Sequence, residues 1–358
     1  AVLSGDDKAT AAALKKQNKA ELKSWKQVVA NDLFAAAHLA QDATAVEHLA
    51  DDTLAGVAAK RTAWAQANQQ AGTSTLAKLA DTYVAAFLAP KVPLASERIP
   101  LSGYLWGLLH PNPNQPPNPE LSHAAHRLCR AHSVFHWWLA FPQVAAKGGF
   151  DVMLGNPPWE VSQLGEEEFF AARAPSVATL SGDKRKKAIA GLEAEQPWLW
   201  QQYQEAKRGF EATNLFYRGS GRYPLSAVGK LNTYRLFAEA IEQLASHKGR
   251  AGFIVPTGIA TDDTAKDYFA HVSQGGRLVS LLDFENSEAI FPAVHRSYKF
   301  SLMTLGAATV SQFVCFATQV EQTADTRRRF TLTPDEFRLI NPNTRTCPVF
   351  RSQRDAEL

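Results

Sequence analysis

The 358-residue chain is 45% hydrophobic and 20% charged, the balance of a soluble globular protein with one or two sizeable cores, which excludes a disordered or low-complexity polypeptide. Its net charge of +3 is spread along the sequence, so it permits a nucleic-acid partner without arguing for one. No apolar run reaches the length of a membrane span, and three widely spaced cysteines, Cys129, Cys315 and Cys347, exclude a disulfide framework and predict a reducing, cytoplasmic setting.

Residues 6 to about 88 are rich in Ala, Lys and Gln and carry apolar positions at helical spacing, with Leu14, Leu22, Trp25, Val28 and Val29 on one face; three or four helices are predicted. Lys15, Lys16, Lys19, Lys23 and Lys26 read as a solvated face before they read as phosphate contacts. The run His110 to Pro119 holds five prolines and three asparagines, so it is a linker or an extended surface loop. Leu121 to Trp138 is predicted helical. On such a helix Cys129, His132 and His136 share a face, but no carboxylate or second cysteine pair completes a metal site, and none is expected.

Phe150 to Leu154 is a short apolar run bounded by glycines, the pattern of a parallel strand covered on both faces. It stops at Gly155-Asn156-Pro157-Pro158-Trp159. Two successive prolines fix φ twice and leave no backbone N–H to compete for the carbonyls, so an amide side chain, bare carbonyls and an indole are held at a strand's carboxyl end. Open α/β sheets bind their ligands at that edge. Residues 160 to about 229 form an insertion with an acidic run (Glu166–Glu168), a basic run (Lys184–Lys187) and the aromatics Trp198, Trp200, Tyr203, Phe210, Phe216 and Tyr217; a helical subdomain with its own aromatic core is favoured over a lid or nucleic-acid channel.

Helix (Asn232 to Leu244), strand (Ala251 to Val255), helix (Asp262 to Val272, with Thr261 as its N-cap) and strand (Leu278 to Phe284) then alternate. Lys299–Leu305 and Gln312–Phe316 read as an antiparallel pair. This is the pattern of a doubly wound α/β sheet.

The Asn156-Pro157-Pro158-Trp159 stretch resembles the catalytic motif of amino-methyltransferases that use S-adenosyl-L-methionine. With Phe135-His136-Trp137-Trp138-Leu139-Ala140-Phe141-Pro142 before it, it is similar to the large adenine-specific DNA methylases of type IIG-like restriction–modification and phage-defence systems. Asn232-Thr233-Tyr234-Arg235-Leu236-Phe237, Val255-Pro256, Ile290-Phe291-Pro292 and the tail Asn341 to Arg351 extend the resemblance over roughly residues 75 to 358. The resemblance implies the second half of a Rossmann-like methyltransferase sheet: a helical region (1–95), a proline-rich linker (96–120), a catalytic core (121–320, with insertion 160–230), and a connector (321–358) toward a target-recognition region.

By the same resemblance, Asn156 and Pro157 polarise the exocyclic amine of a flipped adenine, Trp159 and Phe291 stack on that base, and Pro158 and Phe237 touch the cofactor's adenosine end. The partner would be double-stranded DNA, with no metal and no membrane. The Asp-Pro-x-x-Gly-x-Gly element that grips the cofactor's methionine end in this family is absent from the sequence, as is a nuclease constellation. The chain is therefore expected to be an internal piece of a larger enzyme, inactive alone, with further parts upstream and downstream. Two other readings stay open: an amino-methyltransferase acting on RNA or on protein glutamine, and a non-catalytic DNA-binding scaffold.

Overall fold

The computed structural model describes residues 2–25, 35–93 and 99–358. Val28 and Val29 of the predicted first helical face, and Lys26 of the lysine set, lie outside these residues. The chain divides into two compact units, Ala1–Ala146 with Gln163–Gly219, and Lys147–Ser162 with Ser220–Leu358.

The first unit is helical. Its longer helices are Lys8–Trp25, Ala35–Glu47, Leu54–Thr73, Thr75–Leu88, Pro119–Ala131, Gly182–Glu195 and Pro197–Gly219; a shorter one, Ser102–Leu109, precedes the proline-rich run. Lys15, Lys16, Lys19 and Lys23 are all exposed, the solvated face that their spacing implies. The insertion has its own core of Phe170, Val177, Ile189, Leu192, Leu199 and Tyr203, whereas Trp198 and Phe210 remain exposed. The helix predicted over Leu121–Trp138 ends at Ala131. Ser133 adopts a left-handed φ of 52°, which turns the chain before a one-turn helix at Trp137–Ala140.

The second unit is a six-stranded mixed sheet of order β1-β2-β4-β3-β5-β6, with β1 Phe150–Gly155, β2 Ala245–Pro256, β3 Leu278–Glu285, β4 Lys299–Leu305, β5 Ser311–Ala317 and β6 Phe330–Leu332. β1 and β2 are parallel, β4 runs antiparallel between β2 and β3, and β5 is parallel to β3. The expected β4–β5 hairpin is therefore corrected: the short link Gly306–Val310 carries the chain across β3, and β5 pairs on the far side. Phe253, Val255, Leu281, Met303 and Phe313 fill the core under the helices Thr233–Leu244 and Lys266–Gln274. The predicted N-cap at Thr261 is also corrected, because Thr261 closes a short helix, Gly258–Thr261, and the next helix begins at Lys266.

β1 differs most from expectation. It is an edge strand paired only with β2 among the described strands. Val152 and Leu154, on one face, are 72% and 88% exposed, while Met153 on the other packs on the core. The apolar run does mark a strand, but cover on both faces needs neighbours that the described residues do not supply. Gly149 starts it at φ +124°, where a Cβ would meet the Leu244 carbonyl at 2.5 Å.

Candidate active site

Because β1, β2, β3 and β5 run in one direction, their carboxyl ends share one edge of the sheet. The turn Asn156–Trp159, Thr257 and the loop after β3 all lie there.

Asn156 is exposed, and no hydrogen bond engages its amide among the described residues; Pro157 is buried and Pro158 exposed. Trp159 is half-buried. Its Nε1–H donates to the Ile254 carbonyl (3.3 Å), and the indole packs on the cluster formed by Phe284, Phe300, Val314 and Ala317. The turn is anchored from a distant part of the sequence. Asn232 caps the helix Thr233–Leu244 by accepting from Tyr234 N–H. The first helical residue, Thr233, donates its hydroxyl to the Pro158 carbonyl (2.7 Å) and accepts from Glu160 N–H (3.1 Å), while Thr233 N–H donates to the Glu160 carbonyl (2.9 Å). Val161 and Asn232 add an antiparallel bridge. Thr233→Val keeps the shape and removes these hydroxyl bonds, so it should cost about 1 kcal/mol of stability by thermal unfolding. It should also loosen the turn enough to slow any chemistry done there by about tenfold; unchanged turnover in the variant would show the clamp to be structural only.

The same helix begins in a loop held from below. Buried Glu239 accepts from Leu225 N–H, Ser226 N–H and the Ser226 hydroxyl, and buried Arg235 donates to the Thr264 and Lys230 carbonyls. Phe237 lies one turn beyond Thr233, on the same side of the helix, and is exposed.

Phe291 sits on the loop after β3, which is closed by fully buried Asn286. The Asn286 amide donates to the carbonyls of Phe291 (3.0 Å) and Val294 (2.8 Å) and accepts from Phe291 N–H (2.9 Å). The Phe291 ring meets Phe300 edge-on, with centroids 5.1 Å apart, and Phe300 stacks on Phe284 at 5.2 Å. Trp159 and Phe291 are thus brought onto one aromatic platform, each keeping part of its surface in solvent.

Beneath that platform, buried Asp283 accepts from the Thr257 hydroxyl (2.5 Å), the Ser301 hydroxyl (3.2 Å) and Phe316 N–H (3.4 Å). Burial pushes its carboxyl above the usual range, and these hydrogen bonds offset only part of the effect. A carboxyl raised on folding favours the folded state below its ordinary pKa, a contribution lost as pH rises through the higher folded value. Asp283→Asn should therefore gain stability relative to the parent protein as pH goes from about 4 to 7. Urea denaturation along that pH series is the check, and a constant difference would contradict it.

Two cavities lie away from this turn. One of 790 Å³ is lined by Gly165, Glu166, Arg185, Tyr203 and Lys207, and one of 660 Å³ by Leu14, Ile99 and Tyr104, all in the helical unit. His126 Nδ1 and His136 Nε2 each bond a different oxygen of Asp81 at 2.8 Å, and no group of three or more potential ligands is found among the described residues. No described helix is long and apolar enough to cross a membrane.

Thr233 and Asn286 are the site residues that sequence reasoning missed. Their signals were present: a hydroxyl at the first turn of a capped helix, and an asparagine directly after a strand, where its amide can close a loop.

No protein-family model matches the sequence, and no curated protein does. Among solved structures, the chain is distantly similar to the ATP-dependent Type ISP restriction-modification enzyme LlaBIII bound to DNA (TM-score 0.25, 10% identity, over 55% of this chain and 11% of that one). It is also similar to the methyltransferase subunit of a type I restriction-modification system from Streptococcus thermophilus (TM-score 0.30, 9% identity, 73% and 75% covered). A third likeness is to a structure described as showing complex assembly and conformational transition of a type I restriction–modification system (TM-score 0.29, 10% identity, 96% and 91% covered). The chain spans about a tenth of the length of the first of these proteins, and its own fold is a mixed α/β sheet with a helical unit.

Proposed function

We propose that the chain carries the target-base half of an S-adenosyl-L-methionine-dependent methyltransferase acting on the N6 amine of adenine in double-stranded DNA, within a restriction–modification or defence enzyme. One observation carries the reading. An exposed asparagine amide and a di-proline turn sit at the carboxyl end of a strand, beside two part-exposed aromatics on a shared platform.

The adenine amine is a weak nucleophile because its lone pair is delocalised into the ring. Two acceptors directed at its N–H bonds favour the pyramidal, electron-rich nitrogen of the transition state. Asn156 Oδ1 and the Pro157 carbonyl are those acceptors, and Pro158, lacking an N–H, offers no competing donor. The base reaches them only when flipped from the duplex, at a cost of a few kcal/mol. Stacking on Trp159 and Phe291, worth roughly 1–3 kcal/mol per ring, offsets that cost.

The cofactor, when bound, supplies an electrophilic methyl. The residues present fit part of it: Pro158 and Phe237 are exposed, and Thr233 holds both near one helix end, which suits the adenosine portion. No Asp-Pro-x-x-Gly-x-Gly element, the one the resembling family uses for the methionine portion, occurs in the sequence. The open edge of β1, with Val152 and Leu154 uncovered, supports the reading that other parts of a larger protein complete the sheet there.

Transfer of a radiolabelled methyl group by the full-length enzyme tests the proposal. Label in DNA, at N6 of adenine, is expected. Label in RNA or in protein glutamine would move the same site to another amine, and no label in any of them would leave a scaffold.

A further inference from the structure

Helix Pro119–Ala131 and the turn after it form a surface that the proposed chemistry does not use. The outer side of the helix shows His123, His126, Arg127 and Arg130, with Glu120 as its one exposed acid. His123 lies 3.6 Å from Glu120, and neither Arg127 nor Arg130 makes an ion pair among the described residues. The chain then turns back at Ser133, where Val134 N–H donates to the Cys129 carbonyl (2.9 Å), and displays Phe135 and Trp138 at 57% and 37% exposure. Phe135, Trp137 and Trp138 are exposed together, and adjoining apolar surface of that kind, unlike scattered single residues, marks interaction sites.

The display is rigid. The Asp81 carboxylate holds His126 before the turn and His136 after it, each at 2.8 Å, and Cys129 Sγ donates to the Asp81 carbonyl at 3.3 Å. Burial pushes this carboxyl up, but the hydrogen bonds from His136 and His126 outweigh it and hold it below the usual range. Phe135 is further braced edge-on against Trp137, with centroids 5.1 Å apart. Aromatics fixed before binding lose little freedom on contact.

We infer that Arg127, Arg130, Phe135 and Trp138 dock a single-stranded stretch of nucleic acid, its bases stacking on the two rings and its phosphates meeting the guanidinium groups. Basic side chains near stacking platforms are the combination that such strands select, and this helix face carries two exposed arginines against one exposed acid, Glu120. The inference rests on the nucleic-acid reading of the substrate, not on which base is methylated.

Fluorescence anisotropy of a labelled oligothymidylate with the intact protein is the test, and it needs no methyl transfer. Phe135→Ala with Trp138→Ala should weaken binding about tenfold or more. Trp138→Phe should retain most of it. Arg127→Gln with Arg130→Gln should lower the slope of log affinity against log salt by about 1.4. Asp81→Asn, with the fold verified by thermal unfolding, should weaken binding by loosening the turn. Binding unchanged in the aromatic variants, binding lost only in the arginine variants, or no binding by the parent protein would each overturn the inference. The methylase reading is judged separately, by transfer from the Asn156 variant.

Discussion

Asn156→Ala is expected to lower methyl transfer by the full-length enzyme by about 10²–10³-fold, the cost of removing one preorganised polar group that acts only on the transition state. The side chain is exposed and makes no hydrogen bond to the described residues, so its loss leaves no buried group unsatisfied. Thermal unfolding should therefore match the parent protein. Substrate affinity should change little, because the proposed action of the amide is on nitrogen as it pyramidalises rather than on the planar ground state. Single-turnover transfer with label at adenine is the measurement. Near-normal turnover would remove Asn156 from the chemistry, and a large fall in unfolding temperature would show its role to be structural.

Trp159 should give the second large effect, with a different signature. Its indole packs on Phe284 and Phe300, and its Nε1–H bonds the Ile254 carbonyl, so Trp159→Ala opens a void as well as removing a stacking face. Being half-buried, it should cost about 2 kcal/mol of stability, below the figure for a fully buried tryptophan. It should also reduce base extrusion about tenfold or more, read from 2-aminopurine fluorescence. Trp159→Phe keeps a ring on the platform and loses one hydrogen bond, at a cost of about 1 kcal/mol, and should still hold the extruded base. Equal fluorescence from the two variants would count against a stacking role, whatever their stabilities.

The residues of the turn and the alternation of strands and helices were legible because they depend on local chemistry: glycines that free the backbone, prolines that fix φ, and apolar periods. What escaped reading depends on neighbours distant in sequence. The exposure of Val152 and Leu154 follows from the lack of any described element over that face of β1, which no property of residues 150–155 encodes. The short Gly306–Val310 link looks like a hairpin until β3 is known to lie between the strands it joins. The helix after Leu121 stops at Ala131 with neither Gly nor Pro there, because Asp81, from another helix, gathers His126 and His136 across a turn. At the site itself, Asn156, Pro157, Pro158 and Trp159 announced themselves by type and order. Thr233 and Asn286 show their residue type in the sequence, but the backbone groups their side chains bond lie where only the fold brings them.

The Thr233–Pro158 bond joins residues 75 apart in the chain. During synthesis the turn must leave the ribosome well before the hydroxyl that fixes it, and the whole helical insertion is made in between. Closing so long a loop costs only about 0.6 kcal/mol more than closing one half its length, and an insertion that folds on the way shortens the span left to close. Fixing of the di-proline turn by this bond is thus a late event in biogenesis, reached only when the helix at Thr233 has formed.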